Sequence, residues 1–372
     1  MSQSELIDIK VFYASRHGVD DATDPDFGLS FAWDIPLLEG YPHQFLPVMK
    51  LPFPHGPVSN CYPMGLRAVL AQERFDAVLL HGYMNAPAWA AYWAARCLGL
   101  PILLRGESHL HRSVPRFRLH AKSFLLPHAL KKISWFLAIG QWNHEYWQQY
   151  GVPENRIKTT LYAVENERFS AVRKEQNEAI QNLRKSWGVH TEDTVFAFAG
   201  KCQKYKGVDI LVEAFSKLNN KKKKSHLVMI GTGPLEEELR AKTRDLACVH
   251  WIGFVNQSKM PLYLSAIDVL VLPSRSEPWG LIVNEAMACG VPCIVSDACG
   301  CGPDLVNNPK TGLVVRTGNV RALEEAMDCA LSCEQRSDWC GRIPAVLQRA
   351  SFKDNARAIA ECLYADRVQG GL

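Results

Sequence analysis

Residues 268–296 constrain this chain most, because they read as strand, loop, helix and strand in one short span. The apolar run 268–272 (DVLVL) is short, continuous and closed by Pro273 and Ser274, the pattern of a strand buried on both faces of a parallel sheet. Pro278 and Gly280 then break the chain. From there Leu281, Ile282, Ala286, Met287 and Cys289 recur at helical spacing until Gly290 and Pro292 end the pattern. Residues 293–296 (CIVS) form the next strand. A parallel sheet with helices on its faces follows, and ligands of such sheets bind outside the carboxyl ends of the strands.

The loop and helix start of this unit carry groups that suit such a ligand. The amides of Gly280 and Leu281 would face an anion, with the helix dipole behind them. Glu277 lies in the loop and Glu285 about one turn into the helix, with seven residues between them. Both carboxylates can reach neutral, hydroxyl-rich parts of the same ligand, and a sugar nucleotide has this layout. Taken alone, the two would read equally as a surface loop acid and an exposed helix acid.

The whole phrase E-P-W-G-L-I-V-N-E-A-M-A-C-G-V-P resembles the Glu-x7-Glu motif of the GT4 family of retaining glycosyltransferases, also called glycosyltransferase group 1. The resemblance implies an α/β chain of the GT-B fold: two Rossmann-like, doubly wound domains facing each other across a cleft. It implies an N-terminal acceptor-binding domain over 1–169, a C-terminal domain for the nucleotide sugar over 170–350, and a helix over 351–372 that crosses back to the first domain. The similarity is strong over 196–331, intermediate over 136–169 and weak before that.

Composition agrees with an enzyme of this size. The 372 residues suffice for two domains, each with its own core. Apolar content of 47% and charged content of 22% are ordinary for a globular protein, and a net charge of +4 argues against nucleic acid as a partner. The twelve cysteines fall largely in helix and strand interiors. Cys299 and Cys301 flank Gly300 without a second pair at zinc-like spacing, so neither a disulfide framework nor a metal site is expected. The opening MSQSELIDIK lacks a signal-peptide core, and no run reaches about 18 apolar residues, so a cytoplasmic protein is expected.

Residues 7–14 (IDIKVFYA) read as the first strand, and 15–63 as a long, irregular, aromatic segment of the kind that is usually functional. In GT4 enzymes the loop after the first strand holds a glycine near the donor phosphates. The expected double glycine is missing, and Gly28 or Gly18 takes that role. A helix to Gln72, a strand over 76–80, a helix over 86–98 and a strand over 101–104 follow. The strand ends His81-Gly82-Tyr83 and Arg105-Gly106-Glu107-Ser108-His109 point polar residues at the ligand side or bond locally. Where the family often has a histidine before glycine stands Arg105, which makes Glu107 and His109 the candidates for contacts to the reacting sugar.

In 111–136, Arg112, Arg116, Arg118, Lys122, Lys131 and Lys132 alternate with apolar residues, and no acid interrupts them. The run suits docking on an anionic membrane surface, or a helix with a solvated basic face. A strand over 133–139, a helix over 141–150 and the family-like passage 157–169 lead to a helix over 173–185 that opens the second domain.

After a strand over 194–199, GKCQKYKGVD places Lys201 and Lys206 about one turn. Two ammonium groups at a strand end can neutralise a diphosphate, and they can also be solvated surface lysines. The phrase resembles the family's Gly-Arg…Lys-Gly signature for the donor pyrophosphate, with Lys201 in place of arginine. A strand over 227–230 leads into the turn at Gly231, a further candidate for cofactor-side binding. The segment around Phe254 and Val255 resembles the family's base-binding stretch, although Phe254 fits a core position as well. Helices over 320–331 and 352–368 end the pattern.

The resemblance implies transfer of a sugar from a nucleotide diphosphate sugar to the hydroxyl of a glycan or lipid-linked acceptor, in cell-envelope polysaccharide, lipopolysaccharide or glycolipid synthesis. It implies no cofactor and no metal: Lys201, Lys206 and the amides of Gly280 and Leu281 hold the diphosphate, Glu285 the ribose and Glu277 the sugar. The leaving phosphate then serves as base. A GT-B sugar-nucleotide epimerase and a catalytically silent glycan-binding protein are the alternatives. The intact lysines and glutamates argue against the latter. Peripheral attachment at the inner face of the plasma membrane would follow from 111–136.

Overall fold

Strand Thr194–Ala199 is apolar almost without interruption because both of its faces are covered, and all six of its residues are buried. It pairs in parallel with Ser225–Ile230 on one side and Val269–Leu272 on the other. The full sheet runs Val249–Gly253, Ser225–Ile230, Thr194–Ala199, Val269–Leu272, Cys293–Ser296, Gly312–Val315, parallel throughout. In chain order this is third, second, first, fourth, fifth, sixth. The order therefore reverses between Thr194–Ala199 and Val269–Leu272, and a doubly wound sheet opens its ligand crevice at such a reversal.

This computed structural model describes residues 6–24, 28–52, 59–111, 126–128, 130–221 and 224–370. Much of the basic run 111–136, including Arg116 and Lys122, lies outside them. The described chain forms two compact units. One comprises Met1–Asp21, Pro36–Leu161 and Phe352–Leu372; the other comprises Ala22–Ile35 and Tyr162–Ser351. The division in packing falls at Leu161, earlier than the 169/170 expected from sequence. Residues beyond it, such as Asn166, whose side chain donates to the carbonyl of Ala350 at 3.1 Å, pack within the second unit.

The first unit is built on four parallel strands in the order Ile157–Thr159, Trp135–Ala138, Ile102–Gly106, Val78–His81. Leu80, Leu104, Phe136, Trp147 and Val152 form the core on one face. On another, Leu103 and Leu137 pack with Ile359 and Cys362 of the final helix Phe352–Gly370. Helix Ala86–Leu98 starts where Asn85 accepts the Ala88 amide at 2.8 Å, with proline in its first turn, and stops at left-handed Gly99.

Several expectations need correction. The first strand is shorter, Val11–Tyr13, and pairs with His43–Phe45. The segment 15–63 is less irregular than its composition suggests: Ala22–Asp24 pairs with Leu29–Phe31, and Val48–Lys50 with Cys61–Pro63. The helix expected from about Tyr62 begins only at Leu66, because 61–63 is committed to that hairpin and Gly65 adopts φ 75°. The helix expected over 173–185 is two, Asn166–Glu175 and Asn177–Ser186, broken at Gln176, whose φ of −120° and ψ of 34° leave the helical region. Helix Cys333–Arg349 was not anticipated; its internal Pro344 weakened the helical signal.

Candidate functional site

At the reversal of the second sheet, the turn after Thr194–Ala199 meets the loop after Val269–Leu272. The turn 201–207 closes at Gly207, whose φ of 69° brings its backbone so near Pro273 that a Cβ would lie 2.1 Å from the Pro273 carbonyl oxygen. Only glycine fits there. Arg275 fastens the other side: its guanidinium donates to both carboxylate oxygens of Asp209 at 2.7 and 2.9 Å and to the Lys204 carbonyl at 2.6 Å. Its amide donates to the Tyr205 carbonyl at 2.7 Å. A bidentate pair of this kind fixes geometry as well as charge.

Between these fastenings Lys206 pairs with Glu277, both side chains mostly shielded from solvent at 17% and 12% exposure. The loop carrying Glu277 is itself held, since the Glu277 amide donates to the Ala298 carbonyl at 3.1 Å and its carbonyl accepts the Gly300 amide at 2.9 Å. Gly280 then caps helix Leu281–Ala288 in a left-handed conformation. No side chain caps that start and no acid sits in its first turn, so the positive end of the helix dipole is left for a ligand's charge. Leu281 is 45% exposed. Beneath the loop Cys299 and Cys301 are fully buried, and burial pushes the Cys299 thiol up to about 12.

Glu285 is half-buried and accepts a hydrogen bond from Gln257 Nε2 at 3.1 Å. Arg168 braces Gln257 through its carbonyl at 2.9 Å and its side-chain oxygen at 3.1 Å. Burial drives the Glu285 carboxyl up to about 7, against the opposing pull of Gln257 and Arg168.

Lys201 extends to Asp24, with its Nζ 3.1 Å from each carboxylate oxygen. Asp24 belongs to the hairpin Ala22–Asp24 and Leu29–Phe31, which packs within the second unit. Phe31 lies 4.5 Å from the Phe254 ring, Asn256 Nδ2 donates to the Ala32 carbonyl at 2.8 Å, and Asp34 accepts the Ser258 amide at 2.8 Å. Gly28 serves this hairpin's turn, at φ 68° with its amide on the Asp24 carbonyl at 2.9 Å. Phe254 is half-buried, whereas Val255 is buried at 8% exposure. Gly231 ends Ser225–Ile230 where a Cβ would lie 2.0 Å from the Gly200 carbonyl oxygen, so close strand packing requires glycine there. Glu107 and His109 lie in the first unit, after strand Ile102–Gly106, exposed and half-buried respectively.

The sequence reading missed Arg275, Asp209, Gln257, Arg168 and Asp24. Each acts through a partner far along the chain, and no local pattern marks such pairs. The Lys206–Glu277 and Lys201–Asp24 pairs were also unforeseen, and they mean that each lysine already has a carboxylate partner within the chain.

Comparison with known proteins fits this geometry. Residues 179–351 match the family described as glycosyl transferases group 1, and residues 14–168 match glycosyltransferase family 4. Anabaena HepE in complex with UDP superimposes with a TM-score of 0.65 at 19% identity, over 87% of this chain and 86% of that one. WaaG, a glycosyltransferase involved in lipopolysaccharide biosynthesis, gives 0.63 at 16% identity over 89% of each chain. The fold is GT-B. With both halves matched in order, the chain belongs to the GT4-type, group 1 glycosyltransferases.

Among curated relatives, the alpha-D-kanosaminyltransferase of Streptomyces kanamyceticus is 25% identical over 73% of this chain and 72% of its own. A D-inositol 3-phosphate glycosyltransferase of Jonesia denitrificans is 34% identical over 36% of this chain and 34% of its own. The chain spans about half or less of the length of the first curated relatives it matches.

Two outcomes follow from the site's electrostatics. Between pH 4.5 and about 7 the folded chain retains the Glu285 proton that the unfolded chain loses, so stability falls as pH rises through that window. E285Q should flatten the decline, by no more than about 1.4 kcal/mol per pH unit, in urea unfolding at a series of pH values. In D24N, Lys201 loses its competing carboxylate, and inorganic pyrophosphate should bind about fivefold more tightly by calorimetry. Weaker binding in D24N would show that Asp24 supports the anion site rather than occupying it.

Proposed function

We propose that this protein is a retaining glycosyltransferase that transfers a sugar from a nucleoside diphosphate sugar to an acceptor hydroxyl without a metal ion. The observation that carries this reading is the gathering of Lys201, Lys206, Glu277, Glu285 and an uncapped helix start at one strand reversal. Lys201, Lys206 and the amides of Gly280 and Leu281 hold the diphosphate and stabilise the charge that grows on it as the glycosidic bond breaks. Each lysine exchanges its chain carboxylate for phosphate oxygens when the donor binds. That exchange frees Glu277 to accept bonds from the sugar hydroxyls. Glu285, ionised, accepts from the ribose hydroxyls, and Phe254 and Val255 border the base. The acceptor hydroxyl passes its proton to an oxygen of the departing phosphate, on the face the sugar leaves, and configuration is retained.

The crystal structures of HepE with UDP and UDP-glucose support a nucleotide-sugar donor and make UDP the first ligand to try. A sugar-nucleotide epimerase would need no acceptor, and a silent binding protein would release no nucleotide. Neither finds a better match among the relatives. UDP should raise the melting temperature of the wild-type chain, and K206A should weaken UDP binding at least about tenfold, the loss of one charge-assisted contact. Binding should persist in excess EDTA. Unchanged affinity in K206A, or a strict requirement for manganese or magnesium, would overturn the assignment of positive charge to the lysines.

We further infer a cytoplasmic enzyme attached peripherally to anionic membrane through 111–136, working on an envelope glycan or lipid-linked acceptor. Among the described residues no helix is long and apolar enough to cross a membrane. The six Arg and Lys residues of the run would each contribute about 1 kcal/mol near an anionic surface. Flotation with phosphatidylglycerol vesicles should show binding that weakens as salt rises, and charge reversal at Arg116 and Lys122 should reduce it. An absence of binding at low salt would leave the run as a solvated basic face.

A further inference from the structure

The first unit holds a second constellation, independent of the lysines. Strands Val78–His81, Ile102–Gly106 and Trp135–Ala138 are adjacent and parallel, so the segments after them emerge side by side at the ligand-binding edge of the sheet. Those segments carry Tyr83, then Ser108, His109 and His111, then Trp142 at the start of helix Gln141–Gln149. The three ring systems His109, His111 and Trp142 cluster, the imidazoles stacked on each other and tilted against the indole. His111 lies 4.1 Å from the indole with the planes 32° apart, His109 lies 5.5 Å away at 34°, and the two imidazoles are 6.3 Å apart.

The cluster is held in place from below. Asn143, 2% exposed, donates to the Ser108 carbonyl at 2.6 Å, and its oxygen accepts Trp147 Nε1 at 3.0 Å. The Tyr83 hydroxyl bonds the Ser108 hydroxyl at 2.8 Å and the Tyr146 hydroxyl at 2.6 Å. The loop bearing both histidines is thereby tied to the helix bearing Trp142. His111 is exposed, and Trp142 and His109 are half-buried.

We propose that His109, His111 and Trp142 form an aromatic platform that binds a neutral pyranose ring of the acceptor glycan. This assignment of the acceptor role rests on the glycosyltransferase reading. A pyranose has an apolar C–H face suited to an aromatic ring and a hydroxyl rim suited to imidazole nitrogens and to the Glu107 carboxylate. Glu107, two residues before His109, is exposed. Arg105, the cation at the end of the same strand, is buried with its guanidinium on the carbonyls of Thr160 and Leu161 at 2.9 and 3.3 Å.

The test is saturation-transfer NMR on the full chain with methyl α- and β-glucopyranosides, galactopyranosides and mannopyranosides as probes, alongside thermal shift with UDP. At least one pyranoside should be saturated, most strongly at ring C–H protons. W142A should lose at least about tenfold in signal at equal concentration, H111A should lose part of it, and W142F should restore it, each with the UDP response of the wild type as evidence of folding. Saturation unchanged in both W142A and H111A, or absent for every probe in the wild-type chain, would overturn the platform. Failure of UDP to bind would count against the proposed function alone, because the pyranoside signal is read without a nucleotide.

Discussion

The arrangement of the second unit depends on where its strand order reverses. A parallel sheet whose neighbours leave in opposite directions from one strand pair cannot fill the space above that pair with its own connections. Everything assigned to the anion site is attached at this gap. The 201–207 turn enters from the first strand, the Glu277 loop and the helix start from the fourth, and Arg275 with Asp209 binds the two together. Loosening this clasp would move Lys206 relative to the helix amides without altering either group's chemistry. Positioning residues of this kind act through others, which is why they escape recognition by motif.

What the sequence made legible follows from how local each signal is. Strands 194–199 and 293–296 read correctly to the residue because burial on both faces imposes an unbroken apolar run. Helix 86–98 read correctly because an Asn cap, an early proline and a terminal glycine mark it in neighbouring positions. The hairpins of 22–31 and 48–63 escaped because their strands are three residues long and mostly half-exposed or exposed, so no period of two develops. The site divided in the same way. Glu277 and Glu285 share one phrase and were legible together, whereas the contacts that oppose the upward shift of Glu285 come from Gln257 and Arg168, which belong to other segments.

The two aromatic contacts that sequence left ambiguous resolve differently. Phe254 is a partly buried ring that meets Phe31, so it is neither simply core nor simply exposed. His109, singled out for its position after a strand, is joined by His111 and Trp142, two residues that carry no motif at all. Their meeting is a product of sheet topology, since consecutive loops of adjacent parallel strands must emerge together.

The pairing of both lysines with carboxylates of the chain has a consequence for how fast an anion can arrive. Charges that cancel within about 3 Å produce little field beyond a Debye length of roughly 8 Å, so the site does not draw a diphosphate from a distance. Association should resemble that of an uncharged pair, with weak dependence on ionic strength, and discrimination is deferred to the moment of contact. A passing anion that cannot displace both carboxylates at once gains too little to stay. Under the proposed function, the site would select against single phosphates by a threshold in the number of charges exchanged.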